Sequence, residues 1–254
     1  MTTVESNEEM NIAMRGIYSS GQEKILVMLN GHRLNSYSTN TSCPDFSIAL
    51  EKVKQIEVLR GPASSLYGGV ALTAVINIIT KSGSELNGPR LNIGAGNYGQ
   101  FRGDFLFGKH SVDWDIAVWA SIYNSSGEKV TIPIEEQKGI LPVPGKIIIG
   151  GYNRKPSYDM GADLKWDSFR LLYNTSFKKS VAPYSMSYYF APYSYKSYRT
   201  IKGNLPGYTD TSHHLEVSMQ KAWDRFQIKA AANVDAADQS RYQIAGDTIP
   251  PSSY

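Results

Sequence analysis

Between Val181 and Tyr208 the chain carries Tyr184, Tyr188, Tyr189, Tyr193, Tyr195 and Tyr198, interleaved with Phe190, Lys196, Arg199 and Lys202. Rings that stack and cations that pair give such a segment the means to hold an aromatic or anionic ligand. The same composition also suits a loop that packs on itself or on neighbouring loops. His213 and His214 are residue types of a metal or haem site. Neighbours on a strand point to opposite faces, so the pair does not readily share one ion; a structural role is expected and no metal ligand is assigned. Cys43 is the single cysteine, which excludes a disulfide within the chain, and it reads as a small, partly buried residue beside Pro44. There is no Ser/His/Asp nucleophile pattern, no phosphate loop with its lysine and no carboxylate pair at a credible site. Enzyme activity therefore has no support, and no cofactor is required.

The elements that must position these residues are mostly strands. The apolar content of 41% and charged content of 19% are those of a folded chain. A net charge of +3 without a Lys/Arg cluster gives no support to nucleic-acid binding. Seventeen Tyr, four Trp and 22 Gly suit a β-rich protein. No apolar run approaches the ~18 residues of a membrane helix, which leaves open a barrel, whose strands carry only a weak alternating signal. The polar, acidic start MTTVESNEEM lacks the basic and apolar regions of an export signal.

Residues 55–81, QIEVLRGPASSLYGGVALTAVINIITK, read as strand, sharp turn, short helical turn, glycine corner and strand. Ile56, Val58 and Leu59 end at Gly61-Pro62, where one residue frees the backbone and the next fixes it. Val75, Ile76, Ile78 and Ile79 form a β-branched run. Upstream, Ile25–Leu29 is a continuous apolar strand closed by Asn30-Gly31, a tight-hairpin signal. Asp45 is placed to cap a short helix over Phe46–Val53, with Ile48, Ala49 and Val53 on its buried face.

In this order the motifs resemble the plug domain of TonB-dependent outer-membrane receptors. An Arg15-Gly16 pair precedes the strand ILVMLNGHRLN, and Arg60-Gly61-Pro62 with VINIITK is similar to receptors for iron–siderophores, haem or cobalamin. The resemblance implies that Arg15 and Arg60 pair with barrel glutamates and lock the plug. It makes the loops at Tyr18 and Tyr37 ligand contacts, beside Tyr184, Tyr188, Tyr189, Tyr193 and Arg199 of the tyrosine-rich segment, for a ligand such as a ferric chelate. It also implies a TonB partner, reached through a segment for which the chain has no room, outer-membrane lipid as surroundings, and a location in the outer membrane of a Gram-negative bacterium.

From Arg90 onward the pattern has period two. Seven candidate strands follow, built around Leu91–Ala95, Phe101–Phe107, Val112–Ile122, Tyr158–Trp166, Phe169–Phe177, Leu215–Trp223 and Phe226–Val234. A sandwich alternates too, but here the connections at 108–110, 167 and 224 are short while 124–156 and 178–210 are long, the asymmetry of an outer-membrane barrel. Phe107, Trp114, Trp166, Phe169, Trp223 and Phe226 fall at the short-turn end, as an aromatic girdle would. Lys221 is on the same face near Trp223, where its amine reaches water. Trp119 faces the polar side, towards the first block.

The expected fold class is therefore mainly β: a partial α+β plug over 1–83, followed by an incomplete antiparallel transmembrane β-barrel over 84–254. A plugged barrel needs ~22 strands, so a piece of a longer receptor is expected, with a start upstream of Met1. Energised uptake of a scarce ligand (ferric siderophore, haem or cobalamin) is the leading reading. A soluble or surface all-β binding protein and a surface signal sensor are the alternatives.

Overall fold

The computed structural model of the chain describes residues 2–5, 9–12, 24–37, 40, 42, 48–133, 146–149, 156–181 and 207–242. Strands β1 (Thr2–Glu5) and β2 (Glu9–Ile12) form an antiparallel hairpin. A four-stranded sheet follows, made of β3 (Ile25–Leu29), β4 (His32–Arg33), β5 (Val53–Arg60) and β6 (Ala74–Thr80) in the order β4-β3-β6-β5. β3 pairs parallel with β6, and the other two pairings are antiparallel.

β3 is apolar throughout because both of its faces are covered. Ile25, Val27 and Leu29 point one way, into a cluster with Ala74, Ile78, Leu86, Leu106, Ala117, Trp119 and Leu172. Leu26 and Met28 point the other way, against Ala63, Val70, Ala71 and Val75. The Asn30-Gly31 turn takes φ of 50° and 87°, the left-handed values that a two-residue hairpin needs. After β5, Gly61 at φ 133° turns the chain into α1 (Ser64–Tyr67), and Gly68 at φ 86° turns it back towards β6.

The helix expected over Phe46–Val53 is not present in its described part. Leu50–Lys52 is a single 3-10 turn entered from Ala49 without a side-chain cap, and Val53 already belongs to β5. Asp45 lies outside the described residues.

α2 (Gly83–Leu86) carries a full capping box: Ser82 accepts from the Glu85 amide, and the Glu85 carboxylate accepts from the Ser82 amide. It leads into β7 (Gly88–Ala95), β8 (Phe101–His110) and β9 (Trp114–Asn124). β10 (Val130–Pro133) and β11 (Lys146–Ile149) pair as a separate ribbon within the long connection over 124–156. β12 (Ser157–Trp166), β13 (Phe169–Val181), β14 (Gly207–Trp223) and β15 (Phe226–Tyr242) complete a seven-stranded antiparallel sheet in the order β15-β14-β13-β12-β9-β8-β7. All seven expected strands are present. The sheet is open, with β7 and β15 as its edges.

Its polarity is the reverse of a soluble sheet. Leu91, Ile93, Phe105, Trp166, Phe169, Leu215, Val217, Phe226, Ile228 and Val234 are exposed on one face, whereas Asp104, Ser121, Asp159, Asp163, Asn174 and His214 are buried on the other. At the short-turn end Trp223 and Phe226 stack at 4.8 Å. Lys221 sits 6.0 Å from the Trp223 ring, on the same outer face.

Candidate functional site: the polar seam between the two sheets

The four-stranded sheet lies against the polar face of the seven-stranded one. Four groups of contacts join them, and each is fixed by the pleat, which turns every second side chain of a strand inward.

The first centres on Asp159 of β12. Its Oδ2 accepts from Lys52 Nζ at 2.6 Å and from the Ala49 amide at 2.8 Å. Lys52 Nζ also donates to Asn174 Oδ1 at 3.2 Å and stands 4.9 Å from the Trp119 ring. Trp119 Nε1 donates to the same Asn174 oxygen at 3.1 Å. Burial pushes the Lys52 ammonium below its usual range, and the Asp159 carboxylate opposes that shift. Asp159 Oδ1 is buried with no hydrogen-bond partner, so the ammonium and the Ala49 amide satisfy only one of the two carboxylate oxygens.

The second is built on the hairpin tip. Asn30 Nδ2 donates to Thr80 Oγ1 at 2.8 Å and to Asp163 Oδ2 at 3.3 Å. Arg170 holds Asp163 in a two-toothed grip, Nε to Oδ1 at 2.8 Å and Nη2 to Oδ2 at 2.7 Å, and its Nη1 reaches the Asn30 carbonyl at 3.4 Å.

The third encloses His32 of β4. Its Nδ1 is 3.1 Å from Glu216 Oε2 and its Nε2 is 2.7 Å from Asp235 Oδ1. His214 Nδ1 meets that same Asp235 oxygen at 2.6 Å.

The fourth joins the chain on either side of β5. Arg102 Nη2 donates to the Ile48 carbonyl at 2.9 Å while its Nε pairs with Asp104 at 2.8 Å. Asp115 accepts from the Gly83 and Ser84 amides at 2.8 and 3.1 Å. A side chain at Gly83 would strike the Lys109 and Ile116 carbonyl oxygens, so glycine is what lets α2 reach the sheet.

The residues singled out from sequence are placed differently. Arg60 ends β5 and is exposed, with no ion pair among the described residues. Tyr37 is 62% exposed and lies under the Arg33 guanidinium at 4.3 Å, which in turn is fixed by Asn40 Oδ1. Arg15, Tyr18, Tyr184, Tyr188, Tyr189, Tyr193 and Arg199 lie outside the described residues. His213 and His214 do point to opposite faces: His213 is exposed beside Tyr173, and His214 is buried. Trp119 is buried in the shared core, as its position on the polar face implied. The residues missed, Lys52, Asp159, Asp163 and His32, left one signal: acids at inward positions of a strand whose other face is apolar.

A wall that is apolar outside and polar inside, its inner face occupied by an α+β unit, is the arrangement of a plugged β-barrel. Residues 2–75 match the family model of the TonB-dependent Receptor Plug Domain. Vitamin B12 transporters BtuB are similar in sequence. The protein of Vibrio vulnificus is 30% identical over 95 residues, covering 37% of this chain and 15% of the relative. That of Vibrio cholerae is 31% identical over 132 residues, covering 51% and 20%. Among solved structures, the FrpB iron transporter of Neisseria meningitidis matches at a TM-score of 0.60 and 14% identity, covering 94% of this chain and 35% of that one. The ferric yersiniabactin uptake receptor FyuA of Yersinia pestis matches at 0.57 and 17%, covering 96% and 38%. Residues 2–75 are thus similar to a TonB-dependent receptor plug, and the strands that follow share the fold of these solved structures. It spans a fifth or less of the curated relatives it matches.

Proposed function

We propose that the chain belongs to an outer-membrane transporter that takes up a metal chelate of the cobalamin or ferric-siderophore class, driven through TonB. The observation that carries this reading is the reversed polarity of the seven-stranded sheet. Large apolar residues on its outer face face lipid, while its acids and amides hold the plug. A soluble binding protein would expose that apolar face to water, against the normal limit on apolar patches. The sequence kinship with vitamin B12 transporters and the shared fold of iron transporters both support a large chelated ligand. In this reading the domains divide near residue 83, at α2. Arg15 and Arg60 join the plug's anchoring set, and the loops bearing Tyr18 and Tyr37, with Tyr184, Tyr188, Tyr189, Tyr193 and Arg199, contact ligand. Uptake is transport without bond chemistry, so no enzyme activity is part of it.

Deleting the gene in its host tests this. Growth on limiting cyanocobalamin and on limiting ferric chelate should separate the two ligand classes, and a TonB-deficient strain should show the same defect. Unchanged uptake of both in the deletion strain would refute the proposal.

A further inference from the structure

We propose that His32, His214 and Asp235 form a binding site for a divalent first-row transition-metal ion of the zinc class, fastening the plug to the barrel wall. The three residues come from β4, β14 and β15, and one ligand atom from each lies within 4.8 Å of the others. His32 Nε2 and His214 Nδ1 both aim at Asp235 Oδ1, at 2.7 and 2.6 Å. Their rings meet edge to face at 5.4 Å, so neither blocks the other's approach to a common point.

Zinc binds histidine nitrogen at about 2.0–2.1 Å and carboxylate oxygen at about 2.0–2.2 Å, in tetrahedral geometry. Ligand atoms around such an ion stand roughly 3.3 Å apart. Admitting it requires Asp235, on the edge strand β15, to draw back by less than about 1 Å, and the two imidazole nitrogens to close from the present spread of up to 4.8 Å towards that spacing. The fourth position is left for water.

The outer shell is already in place. Glu216 Oε2 lies 3.1 Å from His32 Nδ1, so with the proton on that nitrogen the Nε2 lone pair is directed at the ion. Asn233 Nδ2 donates to Asp235 Oδ2 at 2.9 Å, orienting the carboxylate. Both imidazoles are buried beside the Glu216 and Asp235 carboxylates, whose negative charge a divalent ion offsets. Imidazole ligands select against calcium and magnesium, which prefer oxygen alone. The site rests on this geometry and not on which ligand is transported.

The test uses the whole 254-residue chain refolded in detergent, stripped with chelator and titrated with Co²⁺. One cobalt should bind, with the visible absorption of a four-coordinate ion, and Zn²⁺ but not Ca²⁺ should displace it. His214→Gln and Asp235→Asn should abolish the band. Glu216→Gln should weaken binding about 10–100-fold, and His213→Ala should leave it intact. His32→Cys should retain binding and add a sulfur-to-cobalt charge-transfer band, which serves if the other variants fail to fold. A chain with native strand content that binds no cobalt, or binding that survives His214→Gln and Asp235→Asn, or a His32→Cys variant without the sulfur band, would overturn the proposal.

Discussion

Lys52 of the plug and Asp159 of the barrel wall stand 107 positions apart in the chain and meet at 2.6 Å, each side chain only 4% exposed. Neither charge is tolerable there alone. The contact therefore ties plug position to the integrity of β12, and it makes Lys52, rather than a terminal arginine, the best-defined anchor among the described residues.

Lys52→Met strands the Asp159 carboxylate away from water. Loss of one partner of a buried pair costs about 3–5 kcal/mol. Replacing both, as Lys52→Met with Asp159→Leu, should restore most of that stability. Denaturant unfolding in detergent, followed through Trp119 beside the pair, measures both variants. A double variant as unstable as the single would show that the two charges are not coupled.

Glu85 gives a pH dependence. Hydrogen bonding to Lys54, then to the Ser82 amide, lowers its carboxyl from 4.5 to about 2. The folded value is below the unfolded one, so the contribution is complete above pH 4.5 and disappears as pH falls towards 2. The pair is partly exposed, so the effect is local: protection of the Ser82 amide, relative to its intrinsic exchange rate at each pH, should fall across that window. Glu85→Gln should flatten the profile, and an unchanged profile would count against the assignment.

Asn35 is 1% exposed and continues the pairing of β3 beyond the short strand β4. Its Oδ1 accepts from the Val27 amide at 2.7 Å, and its Nδ2 donates to the Ile25 and Asn40 carbonyls at 3.0 Å each. Asn35→Leu fills the space but leaves these backbone groups unpaired, at about 1–3 kcal/mol for each one unsatisfied. Hydrogen exchange at Val27 should rise steeply. Retained protection there would mean that another group takes the bond.

Val217 is exposed on the outer face of β14, opposite the seam. In a lipid-facing reading Val217→Arg should cost about 2–4 kcal/mol near mid-membrane. In a soluble reading it should cost nothing or improve solubility. Equilibrium folding into phosphatidylcholine vesicles distinguishes the two.

The seven wall strands were legible because alternation along a strand is a local property, and so was the turn at Gly61-Pro62. Two strands were read short. β14 begins at Gly207 and β15 runs to Tyr242, yet Thr209–Ser212 and Asp235–Ser240 carry no apolar alternation; backbone pairing alone extends them. Leu106 shares the inward face with Asp104, and it is buried because the plug covers that face. The anchors were hidden for the same reason. Alternation alone puts Asp104, Asp159 and Asp163 on the face opposite the apolar one, but what they meet depends on how a second unit docks. A lysine in a sequence such as EKVKQ gives no local sign that Lys52 is buried while Lys54 pairs with Glu85 at the surface. The missing helix before β5 has a simpler cause: Val53, whose branched side chain suits a strand, is already paired with Thr80.

In the first three groups of contacts the plug residue precedes its counterpart in the wall: Asn30 before Asp163, His32 before Glu216 and Asp235, Lys52 before Asp159, with separations of 107 to 203 residues. The plug holds the Lys52 ammonium, whose counter-charge Asp159 lies 107 residues further on. Contacts closing loops of this length form late and slowly. The plug of this chain therefore carries a charge that its own fold does not neutralise, and its burial waits on the assembly of β12, β14 and β15.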